Sequence, residues 1–302
     1  MKGSPSKGHS GAALLFRLID VGLCLLGAGR TGKKIRSCLD VVYDEARDLK
    51  GDIFYPENAG KHPVFVNIHG GGFMAGDKAQ RRRFCAEVAR SGYLVFNVNY
   101  TTCNKAPAPD FLSDVLRAID YITRNAERYG ADASRIVIGG DSAGAFIAFL
   151  VGVVLECREY YEVRGIHVPD TRASGLVMTC GLYSFEKAIG SKIIFNLQDS
   201  VCSAVVGGDV NAPWTDDMKN RLELLEPLNV LNAPLPPCFV SETMTDVFCK
   251  GQAEPLVKKL KELGTDVTHV VEDRAIHCWH LLPTKRARRL LDKLKDFLIG
   301  IK

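Results

Sequence analysis

The chain contains no Cys-x-x-Cys pair: its ten cysteines are scattered singly through 302 residues. That spacing excludes the usual zinc-ribbon and dithiol redox motifs. A chain of this length can bury a core without disulfide staples, so reduced thiols in a cytoplasmic protein are expected. A basic stripe interleaved with aromatics is also missing, and the formal charge is only +4. This argues against a nucleic-acid partner. The local runs Arg81-Arg82-Arg83 and Lys285-Arg286-Ala287-Arg288-Arg289 read as solvated helix faces.

There is no uninterrupted apolar span at the N-terminus. The apolar stretch from Ala12 to Gly29 is broken by Arg17 and Asp20, which makes a transmembrane helix costly and does not suit a secretory signal. Leu14, Leu15, Leu18, Val21 and Leu25 recur at helical spacing and predict an amphipathic helix, somewhat weakened by Gly22, lying on the protein or on a membrane surface. No stable membrane insertion is expected. Internal repeats and low-complexity tracts are absent as well. The 46% hydrophobic and 25% charged content is that of an ordinary globular protein.

What is present alternates strand-like and helical pieces. Residues 40–44 and 50–56 predict a short antiparallel pair, followed by apolar strands at 64–69, 94–100, 135–139, 175–180, 238–241 and 267–271. Helices are predicted at 79–91, from an Asp110 cap to about Tyr129, and at 145–155, 252–263 and 283–299. This rhythm predicts a mostly parallel sheet covered on both faces. Ser184 to Pro234 breaks it without a clear strand and reads as an insertion serving a site.

Gly140-Asp141-Ser142-Ala143-Gly144 lies between the predicted strand at 135–139 and an apolar helix. A strand-to-helix turn this sharp needs small residues flanking the serine, and it leaves the hydroxyl exposed at the tip, the arrangement of an activated nucleophile. The adjacent helix N-terminus favours developing negative charge. Upstream, His69-Gly70-Gly71-Gly72-Phe73 follows another strand. Successive glycines let backbone N–H groups turn toward a carbonyl oxygen, as acyl transfer requires. His69 is expected to brace this loop.

With both motifs in place the chain resembles the hormone-sensitive-lipase-like esterases, also called bacterial family IV, within the α/β-hydrolase superfamily. Asp52 to Pro56 and Leu235-Pro236-Pro237 fit the same pattern. The resemblance implies an α/β-hydrolase fold, Ser142 as nucleophile, and Gly71, Gly72 and Ala143 as oxyanion-hole donors. It also implies a helical cap from about 1–37 and 184–234. Where the family commonly writes Arg-Leu-Ala-Pro-Glu, this chain has Thr101-Thr102-Cys103-Asn104 after Tyr100, so substrate preference does not carry over.

The fold orders the residues serine, acid, histidine. Glu242 and Asp246 both follow the strand at 238–241, and the family's Asp-Pro-Leu aligns with Asp246-Val247-Phe248. For the base, His269 falls inside a predicted strand, whereas His277 and His280 lie in the loop after it. The family's His-Gly-Phe matches His277-Cys278-Trp279. The expectation is a Ser142–Asp246–His277 serine hydrolase acting on short-chain esters, a small-molecule partner, with no metal or organic cofactor. An amide or formamide hydrolase with the same triad and a non-catalytic binding protein are the alternatives. The natural substrate and the oligomeric state are not legible in these motifs.

Overall fold

A computed structural model describes residues 7–26, 28–31, 35–190 and 197–301. Eight strands make one sheet: β1 (Ser37–Asp44), β2 (Leu49–Phe54), β3 (His62–Ile68), β4 (Leu94–Val98), β5 (Ala131–Asp141), β6 (Ala173–Thr179), β7 (Cys238–Thr243) and β8 (Val267–Glu272). Their order is β1-β2-β4-β3-β5-β6-β7-β8. The β1–β2 and β2–β4 pairings are antiparallel and all the others parallel.

Because side chains alternate across a strand, the nearly continuous apolar runs feed two cores. Val64, Val66, Phe96, Ile136, Ile138 and Val240 point into one cluster; Phe65, Val95, Val137 and Phe239 point into the other. The first cluster is closed by α3 (Asp110–Arg124) and α5 (Ala143–Glu156). The second is closed by α2 (Arg82–Ala89) and α12 (Lys285–Gly300). Every residue of α5 from Ala143 to Leu155 is buried, as its apolar sequence on all sides requires.

Helix limits differ from expectation: the helix predicted at 79–91 is a 3-10 turn at Lys78–Arg81 followed by α2. The helix predicted from Asp110 to Tyr129 breaks at Asn125 into α3 and α4 (Ala126–Tyr129). The Asn125 amide donates to the Tyr121 carbonyl, a local bond that competes with helix continuation. Asp110 is the first helical residue, not a cap, and its carboxylate takes Arg47 at 2.9 Å.

Among the described residues, 184–234 hold four helices and no strand: α7 (Phe185–Ala188), α8 (Leu197–Val206), α9 (Asp216–Leu224) and α10 (Pro227–Val230). The Ser184 and Thr215 hydroxyls accept the first-turn N–H groups of α7 and α9. The remaining helices are α6 (Arg158–Glu162) and α11 (Ala253–Glu262). At the other end of the chain, α1 (Lys7–Leu25) packs against α8. Of the expected cap segments, residues 1–6, 27, 32–34 and 191–196 lie outside the described residues.

The α1 helix forms as its spacing predicts and lies on the protein, but of the five stripe residues only Leu15 packs inward. Leu14, Leu18, Val21 and Leu25 are exposed, while Ala12, Ala13, Asp20 and Leu23 are buried. An ion pair holds Asp20 inward, beside Arg81. No described helix is long and apolar enough to cross a membrane.

Candidate active site

The parallel strands converge on Ser142, the residue that joins β5 to α5. Its backbone sits at φ 54°, ψ −119°, a conformation L-residues rarely adopt. Such strain costs on the order of 1–3 kcal/mol and persists only where the surroundings enforce it. Here the Ser142 N–H donates to the Thr179 carbonyl at the end of β6, at 2.9 Å. The two motif glycines permit the turn. A Cβ on Gly144 would lie 2.1 Å from the Ile68 carbonyl oxygen, and one on Gly140 2.5 Å from the Gly144 backbone.

The loop after β3 comes alongside. Gly71 and Gly72 hold φ 126° and 59°. A Cβ on Gly71 would strike the Ala75 carbonyl oxygen at 2.2 Å, and one on Gly72 the ring of Phe16 from α1, also at 2.2 Å. The N–H groups of Gly71, Gly72 and Ala143 donate to no protein acceptor among the described residues. His69 bonds the Gly70 carbonyl through Nδ1 at 2.7 Å and stacks on Tyr100, ring centroids 4.3 Å apart. The Tyr100 hydroxyl donates in turn to the His69 carbonyl. Burial, reinforced by the Arg81 charge, pushes the His69 pKa down to about 4, so the ring is neutral at pH 7 and shapes the loop.

The two acid candidates have different partners. His277 Nδ1 lies 2.8 Å from Asp246 Oδ2, while Asp246 Oδ1 accepts the N–H groups of Phe248 and Cys249 at 2.8 and 2.9 Å. Burial raises the Asp246 pKa, but the His277 bond and charge and the two backbone donors outweigh it and hold the carboxyl below the usual range. Glu242 instead pairs with Nε2 of His269, the strand histidine, at 2.9 Å. His280 is buried edge-on against Phe84, and burial pushes its pKa down to about 4. On His277, burial opposes the charged form. The neighbouring Cys278 sulfur and the Asp246 carboxylate outweigh that cost and raise its basicity.

Ser142 stands where two cavities meet. A cavity of about 490 Å³ is lined by Ser142, His277, Gly71 and Asp141, with Phe16, Ile19 and Leu23 of α1 opposite. A smaller one of about 50 Å³ is lined by Ser142, Ala143, Gly72, Leu182, Leu197 and Val201. Phe16 and Phe248 border both.

Sequence reading missed the buried ionic support. Arg81, read as part of a solvated face, is buried and grips Asp141 with two bonds, Nε to Oδ1 at 2.9 Å and Nη2 to Oδ2 at 2.7 Å. It also approaches Asp20 of α1 at 3.5 Å. Burial raises the Asp141 pKa, but Arg81 outweighs this and holds the carboxyl far below its ordinary range. Asp20 gets less compensation, and burial pushes it up to about 6 despite Arg81. Nothing in a run of three arginines distinguishes the one that turns inward. Tertiary contact also gathers two groups of possible metal donors around one imidazole: Cys180, His277 and Cys278, and Asp246, Cys249 and His277.

Comparison with known proteins agrees with this architecture. The chain is 26% identical over 297 residues to "Probable carboxylic ester hydrolase LipM" of Mycobacterium tuberculosis, covering 91% of this chain and 66% of that one. Esterase LipQ of the same organism is 23% identical over 78% of this chain and 55% of its own length. The chain thus spans less than two thirds of these relatives. An inhibited esterase B from Lactobacillus rhamnosis superposes with a TM-score of 0.85 at 17% identity, covering 98% of this chain and 97% of that one. A truncated carbohydrate esterase from gut microbiota gives 0.71 at 19% identity, covering 87% and 95%. The resemblance to hormone-sensitive-lipase-like esterases read from the two glycine motifs fits these matches. The family model BD-FAE matches residues 51–260, more than two thirds of the chain, and the protein belongs to the BD-FAE family with an α/β-hydrolase fold.

Proposed function

We propose that this protein is a serine carboxylester hydrolase in which Ser142 is the nucleophile, His277 the general base and Asp246 the acid that orients it. The observation carrying this reading is the Asp246–His277 bond at 2.8 Å beside a cavity that His277 shares with the strained Ser142. His277 takes the Ser142 proton as Oγ attacks the ester carbonyl. Asp246 accepts the Nδ1–H bond and stabilises the imidazolium that results. The undonated N–H groups of Gly71, Gly72 and Ala143, with the N-terminus of α5, receive the oxyanion; each such donor contributes about 10²–10³ in rate. Collapse expels the alcohol with the proton from His277, and water, activated by the same base, then releases the acid.

In this reading the small cavity receives the acyl chain and the large one the alcohol. A volume of about 50 Å³ closed by Phe16, Leu197 and Val201 suits short acyl groups. Helix α1 and the 184–234 helices act as the cap. LipM and LipQ, both named as ester hydrolases, support the same bond type.

Purified protein is expected to hydrolyse short-chain p-nitrophenyl esters and to be labelled once by a fluorophosphonate probe, with both lost in Ser142→Ala. Absence of turnover and of labelling in the wild type would overturn the proposal. Faster turnover of a matched amide would move the assignment to amide hydrolysis.

A further inference from the structure

The end of β6 and the loop after β8 bring soft donors together from distant parts of the chain. Cys180 directly follows β6, and Cys278 directly follows His277. One donor atom from each of Cys180, Cys278 and His277 lies within 4.8 Å of the other two. Both cysteines hold left-handed backbone, φ 53° and 55°, which residues other than glycine rarely adopt. Their thiols are free and buried, and Cys278 also lines the larger cavity, which gives the cluster a route to solvent. The Cys278 thiol donates to Asp141 Oδ2 at 3.6 Å, beside the buried Arg81.

We propose that Cys180, Cys278 and His277 form a site for one thiophilic divalent cation, zinc or cadmium, and that its occupation switches the hydrolase off. Two sulfurs and an imidazole are a zinc donor set, leaving a fourth tetrahedral position for water from the cavity. Metal–donor lengths of about 2.0–2.3 Å place tetrahedral donors roughly 3.3–3.8 Å apart. Separations within 4.8 Å therefore require inward movements of about 1 Å or less.

Charge balances as well. The cation replaces the two S–H protons, which leave to solvent; two metal–sulfur bonds form, and nothing is oxidised or reduced. Two thiolates neutralise the dication, so no uncompensated charge enters the interior. The His277 lone pair that binds metal cannot accept the Ser142 proton if it belongs to Nε2. If it belongs to Nδ1, coordination displaces Asp246. Either geometry removes the base. The inhibition rests on the serine-hydrolase reading; the binding does not.

The test titrates cadmium into metal-free protein in a Cys38→Ser background, which removes the exposed thiol. Thiolate-to-metal absorption in the near ultraviolet and ester turnover are followed together. We expect one equivalent to produce the absorption and to abolish turnover over the same range, with EDTA reversing both. Cys180→Ser and Cys278→Ser should each weaken binding at least tenfold, whereas Ser142→Ala should bind unchanged. Absence of thiolate absorption at stoichiometric cadmium, or unchanged affinity in both cysteine variants, overturns the site. Full turnover with cadmium bound overturns the switch. Metal binding to a protein with no esterase activity would leave the site standing and remove the hydrolase reading. If a serine variant does not fold by circular dichroism, cadmium NMR on the parent reads the sulfur count; two support the site and none overturns it.

Discussion

Replacing Asp246 by Asn tests the proposed mechanism at its most discriminating point. The two carboxylate oxygens serve different partners. Oδ1 accepts two backbone N–H groups, from Phe248 and Cys249, while Oδ2 meets His277 Nδ1 at 2.8 Å. In Asp246→Asn the amide oxygen keeps the two backbone donors, because an NH₂ there would face two N–H groups. The NH₂ is then left against His277 Nδ1. The imidazole must turn its Nδ1 lone pair toward that donor, which puts the proton on Nε2, the nitrogen that should accept the serine proton. Wrong-tautomer substitution of this kind costs about 10⁴ in kcat, or about 5 kcal/mol of transition-state stabilisation. Glu242→Gln, acting on the His269 pair, should stay within about threefold of wild type, as expected for a partly exposed pair worth under about 1 kcal/mol. The assay is kcat on a p-nitrophenyl ester, with circular dichroism to confirm folding. A loss under tenfold in Asp246→Asn, or a larger loss in Glu242→Gln, would refute the assignment.

Three further outcomes are expected. Arg81→Met leaves the Asp141 carboxylate buried without its cation, so urea denaturation should show a loss of about 3–5 kcal/mol; a change under about 1 kcal/mol would contradict the ionic scaffold. Phe16→Ala joins the two cavities beside Ser142, so the kcat/KM ratio of octanoyl to butyryl ester should rise about tenfold, and an unchanged ratio would place the acyl chain elsewhere. The Asp20 pKa rises from 3.8 to about 6 on folding because burial disfavours its charge, so the native state binds the extra proton and the Asp20 contribution to stability falls as pH rises through that window. The decline amounts to at most about 3 kcal/mol. Buried His69, His280 and Glu226 titrate in the same range, so the Asp20 contribution is read as a difference between proteins: the stability change from pH 4 to pH 7 in urea denaturation should be less favourable in wild type than in Asp20→Asn, and equal changes in the two would remove Asp20 as a contributor.

Much of this protein was legible from local chemistry. Apolar runs of strand length, separated by helices, forced a buried parallel sheet. The glycines around Ser142 and in the His69–Gly72 loop announced close backbone approach, since no other residue tolerates an oxygen 2.1–2.2 Å from its Cβ position. The order of motifs narrowed the acid to two carboxylates and the base to the loop after β8. Three things were decided only by tertiary packing. Glu242 and Asp246 are close in sequence and chemically alike; only the fold gives one to His269 and the other to His277. The same charge in Arg81, Arg82 and Arg83 has different fates because only Arg81 meets Asp141 and Asp20 in the interior. Helix α1 turns Leu14, Leu18, Val21 and Leu25 outward because the pattern of hydrophobicity sets a period but not a partner, and Leu15, Phe16, Ile19 and Leu23 are the residues that pack on the cores. Periodicity and turn chemistry act over a few residues, so the sequence alone determined the sheet, the elbow and the glycine loop. Pairing of charges across the interior depends on the assembled sheet, so only the tertiary structure decided which histidine each carboxylate meets, which arginine turns inward and which face of α1 packs on the protein.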